Sequence, residues 1–150
     1  MIALSIRQPW AWAILHAGKD VENRVWKLPE HMRGKRILIH AGKGCTRSEY
    51  EDAREFIEDR ETLDGTASEC RVPPLSDLPR GAIVGAATIV DCVCESDSPW
   101  FFGPWGFVLD NVVELARPIP CKGALGFFEV PKPVADAILA QAAEMLGGAL

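Results

Sequence analysis

The sequence predicts an α+β fold in which a sheet of short strands is flanked by helices. Three observations lead there. The apolar period switches between helical and alternating several times along the 150 residues. Turn and cap signals fall at those switches. At 48% hydrophobic residues the chain also has enough apolar material for one core. No internal repeat, low-complexity tract or linker divides it, so residues 1–150 read as one domain.

Taken in order, Ala3 to Ile6 reads as a first strand. Gln8-Pro9 opens a helix, with proline suited to a first helical position. Trp10, Ala13, Ile14 and Ala17 recur at helical spacing as its buried stripe, with Trp12 and His16 on another side. Gly18 is a natural stop, since glycine takes the left-handed conformation at little cost. From Val21 the period becomes two, which puts Glu22, Arg24 and Trp26 on one face and Val21, Asn23 and Val25 on the other. Arg36 to Ala41 is a further strand, leading into Gly42-Lys43-Gly44. Thr46-Arg47-Ser48-Glu49 is a capping box, so a helix starts there and runs to about Arg60, with Tyr50, Ala53 and Ile57 inward.

Residues 62–81, with Gly65, Pro73, Pro74 and Pro79, read as a long loop of the kind used for lids or insertions. Ala82 to Cys94 is a nearly continuous apolar run, expected as a strand buried on both faces. Cys92 and Cys94 share a strand face there and read as small core thiols rather than half a metal site. Trp100, Phe101 and Phe102 in the following aromatic loop are expected to plug one end of the sheet. Trp105, between Pro104 and Gly106, is the better candidate for stacking on a ligand. Phe107 to Leu115 is a strand with Phe107, Leu109, Val113 and Leu115 on one face, and Phe127 to Val130 is the last. Ala135, Ile138, Leu139, Ala142, Met145 and Leu146 form the apolar face of a terminal helix over about 133–146, ended by Gly147-Gly148. That face either covers the sheet or serves as a self-association surface, which leaves a protein-interaction module among the readings.

Composition narrows the function. No apolar run approaches the ~20 residues of a membrane span. The start lacks a basic segment followed by an apolar one, so secretion is not expected. Five cysteines, an odd number, suit reduced thiols in a cytoplasm better than a disulfide framework. Net charge is −5, but it is unevenly placed. Residues 1–50 hold nine Lys/Arg against four acids, and residues 51–150 hold seven against seventeen. That asymmetry fits a localised anion site and not a broad duplex-binding face.

Lys19, Glu22 and Arg24 concentrate charge at the turn from helix to strand, just after Ser5-Ile6-Arg7-Gln8-Pro9-Trp10. The run resembles the ASCH domain, a small PUA-like β-barrel with the signature Gly-x-Lys-x-x-Glu-x-Arg. The three charged residues match its last three fixed positions, while Ala17 stands where the signature has glycine. Arg36–Ala41, Gly81–Gly85 and Pro118–Gly126 resemble later parts of the same family, whose core would span about residues 2–130. The resemblance implies an RNA or nucleotide ligand in a cleft lined by the signature, with no cofactor or metal. Arg7, Gln8, Lys19, Glu22, Arg24, His40, Lys43 and Trp105 are the residues expected to bind it.

Their chemistry supports distinct roles. A helix C-terminus and a nearby Glu22 both favour the protonated form of Lys19, a phosphate partner more than a base. Arg24 suits bidentate recognition of phosphate or a base edge. Glu22 either holds these cations or accepts from an exocyclic amine. Some ASCH-like hydrolases deacylate modified cytidine with a Lys, a Thr and a Glu, and others are ribonucleases. The Thr lies three residues after the Lys, a position occupied here by Glu22. An enzyme would therefore use Lys19 and Glu22 with an activated water, or another nucleophile, with His16 and His40 as candidate acid–base groups.

Overall fold

The computed structural model describes residues 1–63 and 71–149. Its strands are β1 (Ile2–Ile6), β2 (Val21–Arg24), β3 (Arg36–Ala41), β4 (Ala82–Val93), β5 (Trp105–Pro120) and β6 (Phe127–Glu129). Helix α1 (Trp10–His16) joins β1 to β2, α2 (Arg47–Leu63) follows β3, and α3 (Lys132–Ala149) ends the chain. The strands form one sheet in the order β2-β5-β4-β3-β1-β6. The β1–β3 pair is parallel and the other neighbours are antiparallel, so the expected α+β fold of mixed strands with flanking helices is present.

The sheet curls into a half-barrel whose two edges meet through side chains. Arg24, at the end of edge strand β2, donates from Nη2 to the Ser5 carbonyl on β1 at 2.8 Å. Trp26, just past β2, meets Phe127 of the opposite edge edge-on, with ring centroids 5.7 Å apart, and Phe107 at 5.3 Å. The curl has a local cause. The β4–β5 ladder shifts register three times, and Asn111 takes φ 50°. Bulges of this kind increase twist and bend the strand. At Gly85 a Cβ would fall 2.5 Å from the Val113 carbonyl and 2.7 Å from Leu15, so only glycine lets β4 come this close to β5 and α1.

Alternation on β3 divides the core. Ile37 and Ile39 pack inside the curl with Leu4, Ile14, Ile89 and Phe107, while Leu38 faces a second cluster with Ile83, Ile119 and Ile138 of α3. A third cluster joins α1 to α2 through Ala13, Val21, Tyr50, Ile57 and Trp100. Each fully buried aliphatic side chain in these clusters contributes ~1.5–3 kcal/mol relative to exposure. The capping box starts α2: the Glu49 amide donates to Thr46 Oγ1 at 3.1 Å. Asn23 accepts from the Phe102 and Gly103 amides and donates to the Trp100 carbonyl, fastening the aromatic loop to β2.

Several local expectations need correction. Pro9 sits one residue ahead of α1 rather than inside it. Gly18, at φ 73°, does end that helix. Strand β4 is buried on both faces only in its first half, and Cys92 is half-buried and Cys94 exposed rather than core. Strand β5 runs from Trp105 to Pro120, and the bulges break its alternation, leaving Val113 exposed although Phe107 and Leu109 are buried. Trp100 is buried as expected, whereas Phe102 is exposed. Helix α3 continues through Gly147-Gly148 and turns Ile138 and Gln141 inward. Gln141 exchanges hydrogen bonds with the Arg117 backbone, and Leu139, Met145 and Leu146 face outward. Of the expected 62–81 loop, residues 62–63 continue α2, Leu75–Asp77 form a 3-10 turn, and 64–70 lie outside the described residues.

Candidate functional site

Where the edges of the curled sheet approach, they leave a cleft of about 820 Å³. That size suits a nucleotide-sized ligand. The end of β1, the loop after it and the start of α1 supply Ser5, Arg7 and Trp10. Strand β2 and its following turn supply Glu22, Arg24, Val25 and Trp26. The end of β3 supplies His40 and the loop after it Lys43, and the β5–β6 turn supplies Lys122, Gly123 and Leu125. Arg7, Arg24, Lys43 and Lys122 make four cations against the single acid Glu22.

Lys19, Glu22 and Arg24 are graded in depth. Lys19 is only 3% exposed and does not line the cleft. Its Nζ donates to the Val21 carbonyl and to Glu22 Oε1, the latter at 3.2 Å, and lies 5.9 Å from the centre of the Trp10 ring. Glu22 accepts from Lys19 on one oxygen, and its other oxygen forms an ion pair with Arg24 at 3.0 Å. Arg24 is the outermost member. It spans to Ser5, and its buried Nε has no partner among the described residues. The trio is therefore a relay in which a buried ammonium fixes a carboxylate and the carboxylate fixes a guanidinium at the cleft wall.

The other cations differ in freedom. Arg7 donates to Glu49 at 2.7 Å, which offsets part of its charge. Lys43 and Lys122 have no ion-pair partner among the described residues and are exposed, so they present full charge to an incoming anion. The stem of Lys43 packs on Gly81, where a Cβ would come 2.8 Å from its Cε.

His40 is 1% exposed. Its Nε2 lies 2.7 Å from the Cys121 carbonyl and its Nδ1 2.9 Å from Ser5 Oγ. A carbonyl only accepts, so Nε2 carries a proton. In the neutral ring Nδ1 then accepts from the serine hydroxyl. Phe128 meets the ring edge-on at 5.5 Å. Burial pushes the thiol of the neighbouring Cys121 above the ordinary cysteine range.

Of the residues expected to bind a ligand, Arg7, Glu22, Arg24, His40 and Lys43 come together on the cleft. Gln8, Lys19 and Trp105 do not. Gln8 is buried, donating to the Pro79 carbonyl and accepting from the Trp12 amide. Trp105 pairs across the ladder with Arg24 but is covered by Lys27, whose Nζ lies 5.6 Å from the ring centre. His16 stands away from the cleft, paired with Glu114 at 2.5 Å and stacked on Trp12. The aromatics on the cleft are Trp10 and Trp26. Alternation from Glu22 already placed Trp26 on the same face, so that signal was available in the sequence. Lys122 and Gly123 had none, since the fold alone brings their turn to β1 and β3. Among the described residues no group of three or more His, Cys, Asp or Glu side chains is arranged to hold a metal, and no helix is long and apolar enough to cross a membrane.

Comparison with known proteins bears on the family and the fold. Residues 4–114 match the ASCH domain family model. The chain is 27% identical over 133 residues to human Activating signal cointegrator 1 and 28% identical to the mouse protein. In each case the match covers 80% of this chain and 20% of the relative, so the chain spans about a fifth of the length of the curated relatives it matches. The crystal structure of a ZmASCH mutant from Zymomonas mobilis superposes with a TM-score of 0.51 at 16% identity, covering 93% of this chain and 94% of that one. With the family model matched over most of its length, the chain belongs to the ASCH domain family.

Proposed function

We propose that the cleft binds single-stranded RNA or a nucleotide, with the phosphate held by Lys43, Lys122 and Arg24 and a base against Trp26 or Trp10. The observation that carries this reading is a nucleotide-sized cleft with four cations, one acid and two indoles on its walls. Unpaired lysines attract phosphate without sequence preference, and an indole stacks on any base, contributing ~1–3 kcal/mol. Glu22 acts here as the anchor for Arg24, since both of its oxygens are already paired with a cation. This arrangement disfavours deacylation of modified cytidine by Lys19 and Glu22. Such chemistry needs both groups at the substrate, and Lys19 lies behind the wall.

The test is fluorescence anisotropy of a labelled single-stranded RNA across a salt series. Wild type should bind with a negative slope of log K against log salt. A Lys43→Ala/Lys122→Ala double variant should bind more weakly, with the slope shallower by ~1.4, from ~0.7 per lost phosphate contact. Salt-independent binding, or an unchanged slope in the double variant, would overturn the reading.

A further inference from the structure

Beyond ligand binding, we propose that Ser5 and His40 form a nucleophile–base dyad that cleaves carboxylic esters. Three features meet at Ser5 Oγ. The first is its partner, His40 Nδ1, at 2.9 Å, within the reach a general base needs. The second is tautomer control. The Cys121 carbonyl, 2.7 Å from Nε2, fixes the proton on that nitrogen and leaves the Nδ1 lone pair facing the hydroxyl. A base oriented by a third group in this way is the general arrangement of an activated serine. The third is access. A Cβ at Gly123 would lie 3.3 Å from Ser5 Oγ and 2.5 Å from His40 Cε1, and one at Gly42 would lie 3.4 Å from Oγ. Glycine at both positions keeps a Cβ away from the hydroxyl, on the cleft that Ser5 and His40 line.

The reaction balances without a cofactor. Ser5 Oγ attacks the ester carbonyl carbon, and its proton passes to His40 Nδ1. The bond from carbon to the leaving oxygen breaks, and that oxygen takes the proton back from His40. The acyl group now sits on Ser5 Oγ. Water then attacks it, giving its proton to His40, which returns it to Ser5 Oγ as the acid leaves. Arg24, which lines the same cleft and binds the Ser5 carbonyl, supplies positive charge beside Ser5 for the developing oxyanion. The third member of the dyad's chain is a neutral carbonyl and not a carboxylate, so the imidazolium is stabilised less than in a full triad. Esters, with their better leaving groups, suit it more than amides. The cations of the cleft favour an ester that carries negative charge, and that preference alone rests on the binding reading above.

The test uses a neutral fluorophosphonate probe, which reports an activated serine whether or not the cleft binds RNA. Mass spectrometry of the labelled protein should find one adduct, on Ser5, and none in Ser5→Ala. His40→Gln should slow labelling by a factor of ~100 or more, the usual contribution of a general base. Gly123→Ala keeps both reacting groups but pushes on the imidazole edge, and it should slow labelling with the protein still folded by circular dichroism. It serves as the second variant if His40→Gln fails to fold. An unlabelled Ser5 in wild type, or equal labelling rates in wild type and Gly123→Ala, would overturn the dyad. RNA anisotropy, measured separately, tests the binding reading by itself.

Discussion

Lys19→Ala separates a structural from a ligand-contacting signature. In the structure Lys19 is buried behind Glu22 and donates to two acceptors, the Glu22 carboxylate and the Val21 carbonyl. Removing one partner of a buried ion pair costs 3–5 kcal/mol, much of it from the charge left behind. Here Glu22 keeps Arg24 at 3.0 Å, so the loss falls near the lower end, about 3 kcal/mol. For a chain of this length 1 kcal/mol lowers Tm by ~2–4 °C, which places the expected drop at ~6–12 °C. Calorimetry together with urea unfolding measures it, and Lys19→Met, which keeps the stem beneath Trp10, should recover only part of the loss. RNA affinity should fall only as far as Arg24 is released from its place. A Lys19→Ala protein with unchanged Tm and abolished binding would refute the relay and return Lys19 to the ligand.

Thr46→Ala should destabilise by ~1 kcal/mol through loss of the cap on α2, read as a Tm lower by ~2–4 °C. Gly85→Ala should be far more damaging, because its Cβ meets backbone at 2.5 Å; soluble expression with wild-type Tm would contradict the close approach of β4 and β5. Burial holds the Cys121 thiol above its ordinary range, so its thiolate fraction is small at neutral pH and rises as pH climbs through the elevated value. Peptide mapping after iodoacetamide at pH 8 should therefore find Cys94, which is exposed, alkylated well before Cys121.

How far the sequence could be read depended on whether neighbours along the chain or across the fold decide a residue's place. Helix α1, the capping box of α2 and the alternation of β3 are local patterns, and each could be read from a few residues. The same holds for Glu22, Arg24 and Trp26, which alternation puts on one face. Depth is not local. Spacing placed Lys19 beside Glu22 but could not say that α1 would cover it, and the chain gave no sign that Gln8 would be consumed by the Pro79 carbonyl 71 residues away. Val113 was misassigned because two register shifts intervene between it and Phe107, and bulges leave little trace in an apolar run. Lys122 reaches the cleft only because β6 returns beside β1, a pairing set by tertiary packing.

Strand β2 is four residues long, pairs only with β5, and is held on its other side by Arg24 and Trp26 rather than by a ladder. Short edge elements with few backbone bonds are where native proteins open first. Peeling β2 from β5 is therefore a low-cost local opening, and the same motion widens the cleft. Access to the site and fraying of the edge become one equilibrium. An occupant that touches both Arg24 and Lys122 would bridge the two edges and draw that equilibrium toward the closed form. Amide exchange in residues 21–24 should then slow in proportion to occupancy, making the backbone of this one strand a direct reporter of the bound state.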